Sequence, residues 1–302
     1  MNRQSFCGLA NFSFLRQMTD TLESIMAEIQ SRINTEDTET VVSSDEVRQL
    51  IDNTQVVMPA GGKGTRIRAE TQSEGINKVM IEISGESMIE KAIRDYSEMG
   101  IQKFAILTGF LAEEVEKHLG DGSRWGVEIK YSQDPDGKKV GNAGAILHAL
   151  NNGTIDDTMT SIVHNPDDVV VGLNRPYGEV FLEGHAKGLK NGCIATFIVV
   201  PSSYFQYSGM IIEKGIVKDV TKYPPIAIPA HTGITIFDPE VYDYFRRIVS
   251  LEVESSFENV ICPVITSENR MFAINIPSGC WIPVNNLKGL EAAREALSKI
   301  DA

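Results

Sequence analysis

Long apolar runs are missing from this sequence. No stretch reaches the roughly 18 uninterrupted apolar residues of a membrane span, so no membrane contact is expected. Arg16, Asp20 and Glu23 also break up the N-terminal apolar positions that a secretory leader would need. Cysteine is scarce too. Cys7, Cys193, Cys262 and Cys280 are scattered, with no Cys-x-x-Cys pair and no histidine at ligand spacing. That pattern argues against a disulfide framework or a zinc site and for buried reduced thiols in a cytoplasmic chain. Positive charge is the third shortage: 28 Lys and Arg face 41 Asp and Glu, a net charge of −13. This balance works against nucleic acid or anionic lipid as partners, yet it allows a small anionic substrate wherever cations gather locally.

What is present is a globular composition, 42% hydrophobic and 23% charged over 302 residues, enough to bury a substantial core. Phe12, Leu15, Met18, Leu22, Ile25, Met26, Ile29 and Ile33 recur at three- and four-residue steps and predict one amphipathic helix. Ser43 with Glu46 reads as a capping box that opens a second helix from Asp45 to Ile51. Residues 1–53 therefore read as a helical extension and residues 54–302 as the main domain. The extension packs on that domain or forms the interface of a homo-oligomer, and a single apolar stripe does not say whose core it joins.

Val56-Val57-Met58 is a short apolar run of the kind that a buried parallel strand takes. It leads into Pro59-Ala60-Gly61-Gly62-Lys63-Gly64-Thr65-Arg66, where three glycines in four positions let the backbone approach a ligand and adopt positive φ. Successive N–H groups in such a turn form an anion-binding nest, and Lys63, Arg66 and Arg68 add positive charge. The loop lacks the GKS or GKT ending of a P-loop and the GxGxxG spacing of a dinucleotide fold. Beyond it, helical periodicity (Ser87–Met99, Leu111–Leu119) alternates with strand patterns (Lys103–Thr108, Val127–Ser132). That alternation predicts an α/β fold, a mainly parallel sheet flanked by helices, with ligands at the carboxyl ends of its strands.

Gly61-Gly62-Lys63-Gly64-Thr65-Arg66, then Thr71, then Asn77-Lys78-Val79-Met80 resembles the signature of the sugar-phosphate nucleotidyltransferases. Two departures stand out: Ala69 and Asn77 each replace a proline of the family pattern. Gln133, followed by Gly141-Asn142-Ala143-Gly144-Ala145, resembles the family's second motif, and Asn165-Pro166-Asp167 resembles its metal-binding strand end. Val220-Thr221-Lys222, His231-Thr232-Gly233 and Trp281-Ile282-Pro283-Val284-Asn285-Asn286 resemble three later motifs.

The resemblance implies a Rossmann-like mixed sheet of the nucleotide-diphospho-sugar transferase type, and transfer of a nucleotide from a nucleoside triphosphate to a sugar 1-phosphate. It implies Arg66, Lys78 and Asp167 as catalytic residues, with Asp167, or Asp168 if the loop shifts by one, also holding Mg²⁺. Ala60, Gly61, Gly62, Gly64, Thr65, Gln133 and Gly141 would bind the nucleotide, and Gly144, Lys222, His231 and Thr232 the sugar phosphate. At the position of the family's second metal aspartate this sequence has Pro283. A nucleotide-sugar-binding relative without turnover is therefore the second reading. A glycosyltransferase on a similar sheet is the third, and Gly64-Thr65-Arg66 favours the first over it. Asn286 is expected to cap a final helix, Leu287–Ile300, and His164 to be a packed or surface histidine rather than a ligand, since Mg²⁺ disfavours nitrogen ligands.

Overall fold

The computed structural model describes residues 36–64, 75–135, 138–204 and 207–300, with Ser31 and Ile67 besides. The first amphipathic stripe and the loop residues Thr65, Arg66, Arg68 and Thr71 lie outside the described residues. The chain divides into two compact units, one of residues 37–199 and 231–302, the other containing residues 200–230.

In chain order the larger unit begins with α1 (Ser44–Asp52), β1 (Thr54–Ala60), α2 (Met88–Glu98), β2 (Lys103–Thr108), α3 (Ala112–Leu119) and β3 (Glu128–Gln133). Next come α4 (Gly141–Asn151), β4 (Thr160–His164), β5 (Asp168–Val170), α5 (Tyr177–Lys190) and β6 (Ala195–Val200). Residues 200–230 supply β7 (Ser203–Tyr204), β8 (Ser208–Glu213), β9 (Ile216–Lys222) and β10 (Pro225–Ile226). The chain then returns through β11 (Ala230–Phe237), α6 (Val241–Ile248), α7 (Phe257–Val260), α8 (Cys262–Ser267), β12 (Met271–Asn275), β13 (Trp281–Pro283) and α9 (Leu287–Ile300).

Seven strands form the central sheet in the order β12-β6-β11-β4-β1-β2-β3. β1 pairs parallel with both β2 and β4, β2 with β3 and β12 with β6, while β11 runs antiparallel to β4. The expected mixed, mainly parallel sheet is thus present. β1 and β2 are buried on both faces because helices cover both, which explains why Val56-Val57-Met58 is continuously apolar rather than alternating. On one face Val57, Ala105, Leu107 and Val163 pack with α4, α6 and α8 residues such as Ile146, Phe245 and Ile265. A second cluster joins Ile67, Ile81, Met88, Val169 and Val284 to Leu290 and Leu297 of α9.

Helix starts follow their caps. Ser43 and Glu46 form the expected capping box on α1, and Ser87 with Glu90 forms another on α2. Asn286 caps α9 by accepting from Gly289 N at 2.9 Å. α1 docks on α5 through Lys190, which pairs with Glu46 at 2.7 Å and donates to Val41 O at 2.8 Å. In the smaller unit, β8 and β9 form a hairpin whose turn at Lys214-Gly215 has positive φ at both residues, as a tight two-residue turn requires. Cys193, Cys262 and Cys280 are buried free thiols. Among the described residues, no helix is long and apolar enough to cross a membrane.

Candidate active site

β1 has β2 on one side and β4 on the other, so the order of the parallel strands reverses at β1. Open sheets place their ligands outside the carboxyl ends at such a point. Here the glycine loop leaves β1, and the loop 165–168 leaves β4. A cleft of about 380 Å³ lies between them, lined among others by Gly61, Gly62, Gly64, Lys78, Asp167 and Asn285. Strand order in the sheet, not proximity in sequence, brings these residues together.

Glycine is required at two points of the loop for different reasons. Gly64 has φ +58, and a Cβ there would stand 2.7 Å from Lys78 Cβ, so the loop rests directly on the lysine stem. Nothing lies within 4 Å of a Cβ built on Gly62, which leaves that stretch of backbone open to a ligand. Ala60, the last residue of β1, is buried.

Asn77 fixes the loop's far side. Its side chain is buried and donates through Nδ2 to Ala60 O (2.8 Å) and Phe110 O (2.6 Å). Its Oδ1 accepts from Val79 N at 3.2 Å, capping the short 3-10 turn Lys78–Met80. One asparagine thus ties the ends of β1 and β2 to the turn that presents Lys78. The proline of the family pattern could offer stiffness there but none of these bonds.

Lys78 Nζ reaches the Asp167 carboxylate in an ion pair and donates to Asn285 Oδ1 at 3.0 Å. Both side chains of the pair are largely buried, so a cation is already held where a carboxylate and an amide oxygen converge. That donor set is all oxygen, which suits a hard cation completing its shell with water and substrate phosphate. Pro283, in β13, pairs with Asp168 of β5 and brings no side-chain ligand. Among the described residues, no group of three or more His, Cys, Asp or Glu could hold a metal ion by itself.

Asp168, next to Asp167, turns inward. Its carboxylate accepts from Trp281 Nε1 (3.0 Å) and Asn165 Nδ2 (3.3 Å) and lies against Gly233, whose Cβ would stand 2.0 Å from Oδ2. Burial, reinforced by the charge of Asp167, raises its pKa. Behind it sits His164, which is buried, the packed one of the two placements expected for it. Its Nε2 lies 2.9 Å from Asp168 O, and since a carbonyl only accepts, Nε2 carries the hydrogen. Nδ1 then accepts from the Tyr96 hydroxyl at 2.9 Å. Burial holds this imidazole down at about 4, neutral at pH 7.

Of the other expected site residues, Gln133 and Gly141 line clefts that also contain Gly61 and Gly62. Gln133 lies at the rim of a second cleft, and its amide donates to Glu116 Oε1 at 3.1 Å. Gly141 has φ +72 at the start of α4, and its hydrogen faces Ser255 O, 2.2 Å from where a Cβ would be. Gly144 accommodates Val140 within the same helix start. Asn142 bridges to the later Phe-Glu segment: its Oδ1 accepts from Phe257 N (2.9 Å) and its Nδ2 donates to Glu258 (3.1 Å). His231 turns back onto its own strand, with Nε2 3.1 Å from Ile234 O and its ring against Phe197. The Thr232 hydroxyl is buried and donates to Ile198 O at 2.8 Å. Lys222 belongs to the unit of residues 200–230, where its Nζ lies 5.1 Å over the Tyr223 ring. Asn165 and Asp134 also line the clefts although no role was expected of either, because each sits in a polar loop whose string reads as a turn.

A family model described as nucleotidyl transferase matches residues 55–299. A UTP–glucose-1-phosphate uridylyltransferase of Synechocystis is 30% identical over 201 residues, 61% of this chain and 49% of that protein. A glucose-1-phosphate thymidylyltransferase of Streptomyces antibioticus is 23% identical over 209 residues, 67% of this chain and 56% of its own. The chain thus spans about half the length of the curated relatives it matches. Among solved structures, a Bacillus anthracis protein provisionally named a glucose-1-phosphate thymidylyltransferase superposes with a TM-score of 0.60 at 20% identity, covering 80% of this chain and 94% of that one. An apo UDP-glucose pyrophosphorylase gives 0.55 at 18% identity, covering 82% and 99%. At these identities the superpositions speak for the fold.

Proposed function

The chain belongs to the nucleotidyl transferase family, and on that premise we propose that it joins a sugar 1-phosphate to a nucleoside triphosphate, giving a nucleotide-sugar and pyrophosphate. The observation that carries this reading is the Lys78–Asp167 pair, set against the glycine loop at the carboxyl ends of β1 and β4.

The sugar phosphate is a dianion for most of its time at pH 7, its second pKa being about 6, so its oxygen attacks without a general base. A bond forms from that oxygen to the α-phosphorus, and the bond from the α-phosphorus to the bridging oxygen breaks. Catalysis is then mostly positioning and neutralisation of charge. The loop at Gly61 to Gly64 receives the triphosphate, and Lys78 exchanges its carboxylate partner for phosphate oxygen. Asp167, with the amide oxygen of Asn285, would hold Mg²⁺. When bound, such an ion neutralises charge on the phosphates. Arg66 and Lys222 keep the roles that the family resemblance gives them.

The test is pyrophosphate release with Mg²⁺, each nucleoside triphosphate in turn and a panel of sugar 1-phosphates. Release that needs one particular pair, and that falls by about a hundredfold or more in Lys78→Ala, supports the reading. Near-normal rates in that variant overturn it. Pro283 supports a second reading, a nucleotide-sugar-binding relative without turnover. Binding by calorimetry with no pyrophosphate from any pair would favour that one.

A further inference from the structure

Beyond the reacting phosphates, the same row of strand ends carries a carboxylate that the reaction does not use. The register pairs Ala60 with Thr108 and Thr108 with Gln133, so the next residues, Gly61, Gly109 and Asp134, stand side by side at the carboxyl edge. Asp134 N donates to Thr108 O at 3.0 Å, which fixes the turn. The side chain then leans back across Gly109, where a Cβ would stand 2.9 Å from Asp134 Oδ2, towards Gly61, where one would stand 3.7 Å away. The Gly109 hydrogen clears the path of this carboxylate into the cleft.

Asp134 lines both clefts that flank Gly61-Gly62. One, of about 740 Å³, has Pro59, Leu107, Gly141 and Ala145 in its wall. The other, of about 730 Å³, has Phe110, Gln133 and Lys139. Among the described residues the Asp134 carboxylate accepts no hydrogen bond, and burial raises its pKa. Gln133, the residue that the resemblance assigns to the base, has its amide directed to Glu116. The Asp134 carboxylate adds a pair of unused acceptor oxygens at this end of the cleft.

We propose that Asp134 is the residue that selects the nucleoside, its carboxylate accepting from a pair of adjacent hydrogen-bond donors on it. This rests on the proposed nucleotidyl transfer. An ionised carboxylate has two acceptor oxygens and no donor, so a matching ligand edge presents two donors side by side. A nucleoside triphosphate offers that chemistry in two places: the N1–H and N2 amino edge of guanine, and the 2′,3′-diol of ribose. Uracil and thymine set one N–H between two carbonyls, and adenine and cytosine set an amino group beside a ring acceptor. On those edges a lone pair faces the carboxylate, which selects against them.

The experiment is titration calorimetry of the full chain with Mg²⁺ and GTP, dGTP, UTP and dUTP, repeated on Asp134→Asn and Asp134→Ala. The native protein is expected to prefer guanine over uracil whatever the sugar, or ribose over deoxyribose whatever the base, by roughly tenfold to a hundredfold. The pattern names which donor pair is bound. In both variants that ratio should shrink towards unity while the weaker ligands keep their affinity. Equal affinities in the native protein, ratios unchanged in the variants, or a uniform loss across all four nucleotides would overturn the assignment of Asp134 alone. Failure of these four, with ATP, CTP or dTTP binding instead, would overturn the assignment of Asp134 alone, and failure of every nucleoside triphosphate would overturn the transferase reading and this one with it.

Discussion

Replacing Asn77 with alanine removes two hydrogen bonds to main-chain carbonyls and one from a main-chain N–H, all made by a side chain that is 1% exposed. Each such bond contributes about 1 kcal/mol net, so Asn77→Ala should cost about 3 kcal/mol of unfolding free energy. Proline provides a sharper comparison. Asn77 has φ −66 and ψ 141, which the pyrrolidine ring accepts, and among the described residues its N–H makes no main-chain hydrogen bond. Asn77→Pro loses the same three bonds but stiffens the unfolded chain, which returns about 0.4–1 kcal/mol. The order of stability should therefore be native, then proline, then alanine. Urea unfolding at a constant m-value measures it. If Asn77→Ala costs less than about 1 kcal/mol, or Asn77→Pro proves worse than alanine, the stapling role is refuted.

Gly64→Ala puts a Cβ at φ +58 and 2.7 Å from Lys78 Cβ. Pyrophosphate release should drop by roughly tenfold or more, since small displacements at a reaction centre have effects of that size or larger. The left-handed backbone alone costs about 1–2 kcal/mol and the contact with Lys78 Cβ adds to it, so full activity with unchanged stability would contradict this. His164 and His185 are both buried and held at about 4, against 6.5 in an exposed histidine. Because the folded values are depressed, the unfolded chain binds more protons. Their contribution to stability is whole above pH 6.5 and falls as pH drops towards 4, by about 1.4 kcal/mol per unit for each histidine. Unfolding free energies measured from pH 7 to 4 should decline, less so in His185→Gln, and a flat profile would refute the assignment of neutral buried rings.

Much of the fold was legible because apolar runs and helical periods mark many of its elements. Val56-Val57-Met58 and Lys103–Thr108 became strands where the apolar runs placed them, and Leu287–Ile300 became the final helix. Edges moved by a residue where capping decides them: Ser87 lies outside α2 because its hydroxyl binds Glu90 N. Lys78 and Asp167 were legible through motif resemblance, and the structure sets them against each other across 89 positions of sequence. Asn77 was visible only as a departure from proline, because hydrogen bonds to Ala60 O and Phe110 O depend on two loops meeting in space. Asp134 left no signal at all. Its position depends on strand register and on Gly109, a residue that reads in sequence as an unremarked turn.

The approach of Gly61 to Gly109 also bears on how this sequence can change. A Cβ on Gly109 would stand 3.0 Å from Gly61 Cα and 3.2 Å from Gly61 O. Phe110 N donates to that same oxygen at 3.2 Å, so the two loops cannot separate without breaking a main-chain bond. Position 109 lies outside the glycine-loop motif, yet a saturation scan should find it sterically less tolerant than position 61, where a Cβ would come no nearer than 3.5 Å to Gly109 N. Substitutions at the two positions are not independent trials. A lineage that loses the glycine at 109 has to shift the loop at Gly61 and the side chain of residue 134, whose Oδ2 would lie 2.9 Å from the new Cβ.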